Sequence, residues 1–245
     1  MRAVTAVSLL LLMSAQDVVQ DPNLLGWVMY FGDHPIGKTK WGLHLEAQWR
    51  RDEGFNRWQQ SFYRPAINYD VNSWLQLSGG YAFAKTYPYG SFPVRQAFDE
   101  HRTHQQAVFK HKIGKVRFAH RARHEQRWLD IQREVPVGPL PHERWRFQQR
   151  FRWQTRATIP INDKYYWTVA NELLVHVPPN MAPRIFDQNR AYGALGVNLS
   201  DTARVEVGYL NQYLVQRNAR IHEVNHSIQV SIFSTKRLGD LFRFR

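Results

Sequence analysis

Three features of the amino-acid sequence predict an all-β chain: a single antiparallel up-and-down transmembrane β-barrel of about twelve strands, with ten as the alternative count. Polar and apolar residues alternate along most segments, the connections alternate between short and long, and aromatic residues gather near segment ends. The stretch RWRFQQRFRWQTRATI (144–159) shows the first feature best. A strand points successive side chains to opposite faces. One face here carries Trp145, Phe147, Phe151, Trp153, Ala157 and Ile159, and the other carries Arg144, Arg146, Arg150, Arg152 and Arg156. A helix would spread both sets around its circumference, so the period specifies a strand.

The same alternation recurs along the chain. In 40–50, Trp41, Leu43, Leu45, Ala47 and Trp49 oppose His44, Glu46, Gln48 and Arg50. Segments 73–83, 115–128, 165–177, 189–199, 203–216 and 226–233 repeat it, and weaker strands are expected at 24–32, 57–69 and 101–113. Short connections fall near 34–39, 69–73, 112–115, 160–164 and 199–203, and longer ones at 51–57, 85–100, 129–143, 177–186 and 217–222. Short turns at one end and longer loops at the other are the build of outer-membrane barrels. Ahead of the barrel domain (16–245), MRAVTAVSLLLLMSAQ reads as a signal peptide over 1–15: basic Arg2, an apolar run from Ala3 to Met13, then Ser14 and Ala15. That run is too short for a bilayer anchor, which needs about 20 residues. Export places the protein in the outer membrane of a Gram-negative bacterium and counts against nucleic acid as a partner.

The cost of burying charge in lipid fixes which face points where. An arginine at the bilayer midplane of a barrel's outer surface costs about 2–4 kcal/mol. Three central arginines of 144–156 would therefore cost about 6–12 kcal/mol, comparable to a whole domain's stability. In a membrane barrel the arginines must face the lumen and the aromatics the lipid. In a soluble β-barrel or sandwich the same strand would put its arginines in water and its aromatics in a core. Trp41, Trp74, Tyr165, Tyr166 and Trp167 come just after short turns, while Trp49 and Trp58, and Trp128 and Trp145, bracket long loops. Aromatics at strand ends describe two interfacial girdles and favour the membrane barrel.

Several stretches together resemble a known bacterial family. WVMYFGDH (27–34), YAFAKTYPYG (81–90), FDEHR (98–102), HKIGKVRFAHRARHEQRW (111–128), IFDQNRAYGALG (185–196), VGYLNQYL (207–214) and NHSIQVSIF (225–233) look like the family catalogued as domain of unknown function 2490. The resemblance implies an outer-membrane barrel, of Bacteroidota type, and implies no activity. In such proteins the NHSIQVSIF strand closes the chain, whereas here STKRLGDLFRFR (234–245) extends beyond it. Arg237, Gly239, Phe242 and Phe244 are spaced like a barrel's last strand. Eleven strands are countable through residue 233, so a twelfth made by this tail would restore an even number. The other repairs are a first segment that is not a full strand, or a short strand before it.

Composition and motifs bound the chemistry. The 33 Lys and Arg outnumber the 20 Asp and Glu, giving a formal charge of +13 and attraction to anionic partners. No cysteine is present, so disulfides and thiolate metal sites are excluded. No metal, cofactor or catalytic residue is assigned. His120 and His124 share a face but lie about 13 Å apart at about 3.3 Å per residue, too far to share one ion. His226 and Ser227 are adjacent and point to opposite faces. Lumen-lining candidates are Glu46, Arg117, Arg121, Arg123, Glu125, Arg146, Arg150, Arg152, Glu172, Arg190 and Glu206. Residues 117–156 carry ten arginines against Glu125, Asp130, Glu134 and Glu143, so even full pairing leaves positive charge. Candidates for a rim contacting lipopolysaccharide are Arg50, Arg57, Arg127, Arg144 and Arg217. The expected partners are outer-membrane lipid and lipopolysaccharide, with small anions or an envelope protein as further partners. The functional expectation is a narrow anion-preferring pore or a sealed scaffold barrel. A lipid-modifying outer-membrane enzyme and a soluble secreted protein binding anionic polymers are the alternatives.

Overall fold

The computed structural model describes residues 18–130, 145–178, 185–216 and 218–241. The expected leader (1–15) lies outside them. Eleven strands form one closed barrel: β1 (Val19–Pro35), β2 (Trp41–Asp52), β3 (Arg57–Asp70), β4 (Leu75–Thr86), β5 (Phe98–Ile113), β6 (Val116–Asp130), β7 (Trp145–Pro160), β8 (Tyr165–Val177), β9 (Phe186–Ser200), β10 (Ala203–Val215) and β11 (Ile221–Ser234). Each strand pairs antiparallel with its sequence neighbours, as an up-and-down barrel requires.

The count differs from the even numbers expected, and an odd count dictates how the barrel closes. In a meander, odd-numbered strands all run one way, so the first and eleventh strands are parallel. β1 and β11 accordingly pair in parallel from Val19↔Ile221 to Gly32↔Ser234. No twelfth strand forms from the described part of the tail. It leaves β11, makes a single 3-10 turn at Leu238–Asp240, and turns back on β1. There the His34 ring donates from Nδ1 to the Lys236 carbonyl (2.7 Å) and accepts from the Tyr30 hydroxyl at Nε2 (3.0 Å). The segment at 24–32 is part of a full strand of 17 residues. The described chain starts beside the long-loop end, where the Val19 amide donates to the Arg220 carbonyl, and its last strand ends beside the short turns.

The two faces sort as the charge argument requires. Outward positions carry Trp41, Ile67, Trp74, Leu77, Trp153, Trp167, Val169, Leu173, Val207, Ile228 and Ile232, all well exposed. The inward face has two halves. Leu25, Trp27 and Met29 of β1 pack with Tyr192, Ala194 and Leu210 of β9 and β10 as an apolar wall. The arginines of β6 and β7 stand among lumenal carboxylates and amides. Tyr166 turns inward and is buried, so of the three aromatics after that turn, Tyr165 and Trp167 face outward. Its ring lies flat on Gly196, where a Cβ would come within 2.1 Å of the ring carbons, and its hydroxyl reaches Glu206 Oε1 (3.0 Å).

This packing makes two substitutions informative. Ile228→Arg, on the outer face of β11, is expected to destabilise the barrel by about 2–4 kcal/mol, read as a lowered urea midpoint in lipid vesicles. An unchanged midpoint would contradict the lipid-facing assignment. Gly196→Val should cost about 1–3 kcal/mol in the same assay by displacing the Tyr166 ring; wild-type stability would show that the ring does not need the glycine.

Candidate functional site: the arginine-packed lumen

Strand alternation places a dense set of charges inside the barrel. At its centre Glu125 of β6 is 0 % exposed, and Arg64, Arg123, Arg150 and Arg152 around it are 3–6 % exposed. Arg150, directly opposite on β7, donates to Oε2 from Nε (2.9 Å) and Nη2 (2.6 Å). Arg152 Nη1 donates to Oε1 (2.9 Å), and Arg64 Nη2 reaches the same oxygen from β3 (3.3 Å). Arg123 Nη1 stands 3.8 Å away. Charge-assisted, forked contacts of this kind are what allow a carboxylate to leave water.

Satellites extend the network. Glu172 of β8 accepts from Arg121 (2.7 Å) and Arg152 (2.7 and 3.0 Å), with Arg190 at 3.5 Å. Glu46 accepts from Arg64 (2.6 Å) and Gln48. Glu100 accepts from Arg102 (2.6 and 2.9 Å) and from Arg127. Asp187 accepts from Arg150 (2.9 Å); a register shift between Leu174 and Val175 accompanies its inward turn. Nearer the short turns, Glu206 accepts from Arg156, Tyr166, Thr168 and Tyr192.

Acceptors run out before donors do. Among the described residues, eight arginines (64, 102, 121, 123, 127, 150, 152 and 190) share five carboxylates (Glu46, Glu100, Glu125, Glu172 and Asp187) and Arg50 stands beside them without one, a local surplus of four positive charges. Arg64 Nε, Arg121 Nε and Arg123 Nη1 are buried without a hydrogen-bond acceptor among the described residues. Arg50 has no carboxylate within ion-pair distance there; it donates only to Gln48 Oε1 (3.1 and 2.5 Å) and lies 4.0 Å above the Trp27 ring.

The charged layer separates two chambers. Towards the long loops is a cavity of about 170 Å³ lined by Arg50, Arg102, Arg127, Arg190, Gln188 and Gln212 among others. The segment joining β4 and β5 dips over it. The Tyr89 hydroxyl donates to Glu223, the Gly90 amide to Asp52 (3.2 Å) and the Ser91 amide to Asp21 (3.4 Å). Gly90 has φ +70°, and a Cβ there would lie 2.8 Å from Asp21 Oδ2, so glycine suits both the turn and the close approach. Burial and the neighbouring Glu223 carboxylate push the Tyr89 phenol well above its usual range, leaving it a neutral donor. Towards the short turns lies a wider vestibule of about 910 Å³, lined by Lys110, Lys112, Arg117, Arg156, Lys164 and Arg204 with Asp163 and Asp201.

All the candidate lumen residues lie on the inward face. Glu46, Arg121, Arg123, Glu125, Arg150, Arg152, Glu172 and Arg190 meet in the central network, and Glu206 sits below it. Arg117 opens into the vestibule, and Arg146 shares the face of Gln148 and Arg150 nearer the long loops. The rim set needs correction. Arg50 and Arg127 are buried inside the barrel, because each shares the parity of a lumenal glutamate on its own strand, Glu46 and Glu125. Arg57 stands exposed at the long-loop end, paired with Glu53 (3.0 Å). Arg144 and Arg217 lie outside the described residues. Arg64, Arg102, Trp27 and Asp187 belong to the site without having been singled out from the sequence.

Comparison with known proteins agrees with this architecture. The family model described as a protein of unknown function (DUF2490) matches residues 25–223. The chain belongs to this family. An uncharacterized protein of Methylorubrum extorquens is 28 % identical to it over 232 residues, covering 90 % of each chain. Among solved structures, the NanC porin in its rhombohedral crystal form is similar with a TM-score of 0.51 and 11 % identity, over 87 % of this chain and 98 % of that one. The DUF2490 chain thus shares a porin-like barrel fold.

Removing one member of the central cluster should be costly. Glu125→Gln leaves Arg150, Arg152 and Arg64 short of countercharge, and a loss of about 3–5 kcal/mol is expected in vesicle unfolding. A loss below about 1 kcal/mol would mean that the arginines find other partners and the layer is not held by Glu125.

Proposed function

We propose that the protein is an outer-membrane barrel that favours small anions in its lumen and passes them as a narrow, anion-preferring channel. The observation that carries this reading is that, among the described residues, the central network holds four more guanidinium groups than carboxylates. A passage lined by one sign of charge selects the opposite sign. The vestibule supports the reading, since Lys112 and Arg117 are cross-strand neighbours at the short-turn end, where like charges repel unless an anion lies between them. Passage requires the guanidinium groups of the Glu125 layer to exchange partners, because that layer is closed to water at rest. Conductance should accordingly be small. Lipopolysaccharide around the long-loop end and an envelope partner remain part of the proposal; exposed Arg57 is the described cation best placed to meet a lipid phosphate.

The complete burial of Glu125 and Glu206 favours a second reading, a sealed barrel that scaffolds a partner. Planar-bilayer recording across a KCl gradient separates the two. The channel reading expects small steps with chloride preference, reduced when Lys112→Glu and Arg117→Glu reverse the vestibule charge. Protein shown by protease protection to be inserted, yet electrically silent, would sink the channel and leave the sealed barrel. Neither reading assigns a catalytic group.

A further inference from the structure

We propose that the cavity of about 170 Å³ between the Glu125 layer and the Tyr89 segment is a binding site for a compact, doubly charged oxyanion of the phosphate type. The proposal rests on the anion-attracting part of the reading above and adds a site and a ligand class to it. Arg50 is the reason for the location. It is 9 % exposed, and a buried guanidinium without a countercharge is strongly disfavoured. Its contacts are the Gln48 amide oxygen and the Trp27 ring. The same indole carries the Arg190 guanidinium 5.6 Å from its ring centre, so two like charges share one aromatic ring. Arg190 donates to the Gln188 amide oxygen (2.8 Å), and its described carboxylate neighbour, Glu172, is 3.5 Å away. Both guanidinium groups line the cavity.

Size and chemistry narrow the occupant. The cavity equals about six water volumes at about 30 Å³ each, below the usual range for drug-sized ligands of about 300–1,000 Å³. Guanidinium forks match the oxygen geometry of phosphate, and two guanidinium groups whose close hydrogen bonds go to amides, with no described carboxylate nearer than 3.5 Å, call for a dianion in preference to chloride. Gln188, whose Oε1 accepts from Arg190 and Gln212 (2.8 Å each), keeps its Nε2 amide at the cavity wall for a remaining oxygen. The continuous hydrogen-bonded wall keeps lipid headgroups out, since their acyl chains must stay outside the barrel.

The test is calorimetric titration of orthophosphate into the folded, detergent-solubilised protein at low chloride. Saturable binding is expected for the wild type. Arg50→Gln should weaken it at least about ten-fold, Arg50→Lys should weaken it less by retaining the charge, and Arg57→Gln at the rim should leave it unchanged. Arg50→Gln strips no carboxylate of its partner, so it should fold, as heat-dependent gel mobility will report. No saturable phosphate heat in the wild type, or equal affinity in wild type and Arg50→Gln, overturns the site. The titration needs no ion flow. Chloride-selective steps without phosphate binding would therefore remove the site and keep the channel, whereas phosphate binding by a silent barrel would do the reverse.

Discussion

The interior of this barrel depends on the burial of one carboxylate, Glu125, among arginines drawn from several strands. Strand register makes the arrangement unavoidable. Glu125 is paired directly with Arg150, while Arg123 is paired with Arg152 one step along the same face. Two like charges directly opposite one another destabilise a sheet, so Arg123 and Arg152 are tolerable only with carboxylates between and beside them. Glu125 and Glu172 take those places, and Arg64 crosses from β3 to complete the layer. The layer both closes the lumen and ties β3, β6, β7 and β8 across the interior, contacts that neighbouring-strand hydrogen bonds cannot supply.

The same constraint explains why the opposite wall is apolar. Most of the guanidinium groups that reach the centre come from β3, β5, β6 and β7, leaving β1 to present Leu25, Trp27 and Met29. Closure by a parallel pair sits on that side. A parallel ladder has slanted bonds and is slightly weaker per residue than an antiparallel one, and this one runs over 14 residue pairs. Short polar side chains at Asn225, Ser227 and Ser231 face the lumen from β11 and are fully buried. They leave room for the larger side chains of β1 alongside.

Much of this was legible from alternation alone, because a period of two fixes the face of every residue once one residue is fixed. Glu46, Glu125 and Arg150 could be assigned inward on the cost of arginine in lipid. At Arg50 and Arg127 parity outweighs proximity to a loop: β2 runs on to Asp52 and β6 to Asp130, so neither arginine lies beyond the paired strand. Arg64 and Arg102 are hard to place from the sequence because their segments alternate weakly, with Pro65 and Thr103 outside and Phe62 and His104 inside. Asp187 was not legible at all, since a register shift breaks the rule by which it would have been placed. The odd strand count could be counted but not interpreted, because nothing local in β1 or β11 announces a parallel partner 202 residues away.

Charge is also zoned along the axis. The carboxylates of Asp21, Asp52 and Glu223 stand at the long-loop end, where amides and the Tyr89 hydroxyl of the overlying segment bind them. Below them come the cavity, the arginine layer and the vestibule with Lys110, Lys112, Arg117 and Arg204. An anion at the short-turn mouth meets a mostly basic surface up to the closed layer, whereas one at the long-loop mouth meets carboxylates first. Hydrogen bonding by the Tyr89 segment reduces that repulsion without removing it. The interior is therefore asymmetric, with the arginine-lined cavity just beneath a partly neutralised acidic roof. A segment held by a few separate hydrogen bonds, to β1, β2, β3 and β11 and to Gln216, is easier to displace than a strand of the wall. Access to the cavity from the long-loop end is thus governed by those few bonds, and access from the other end by the ion pairs of Glu125.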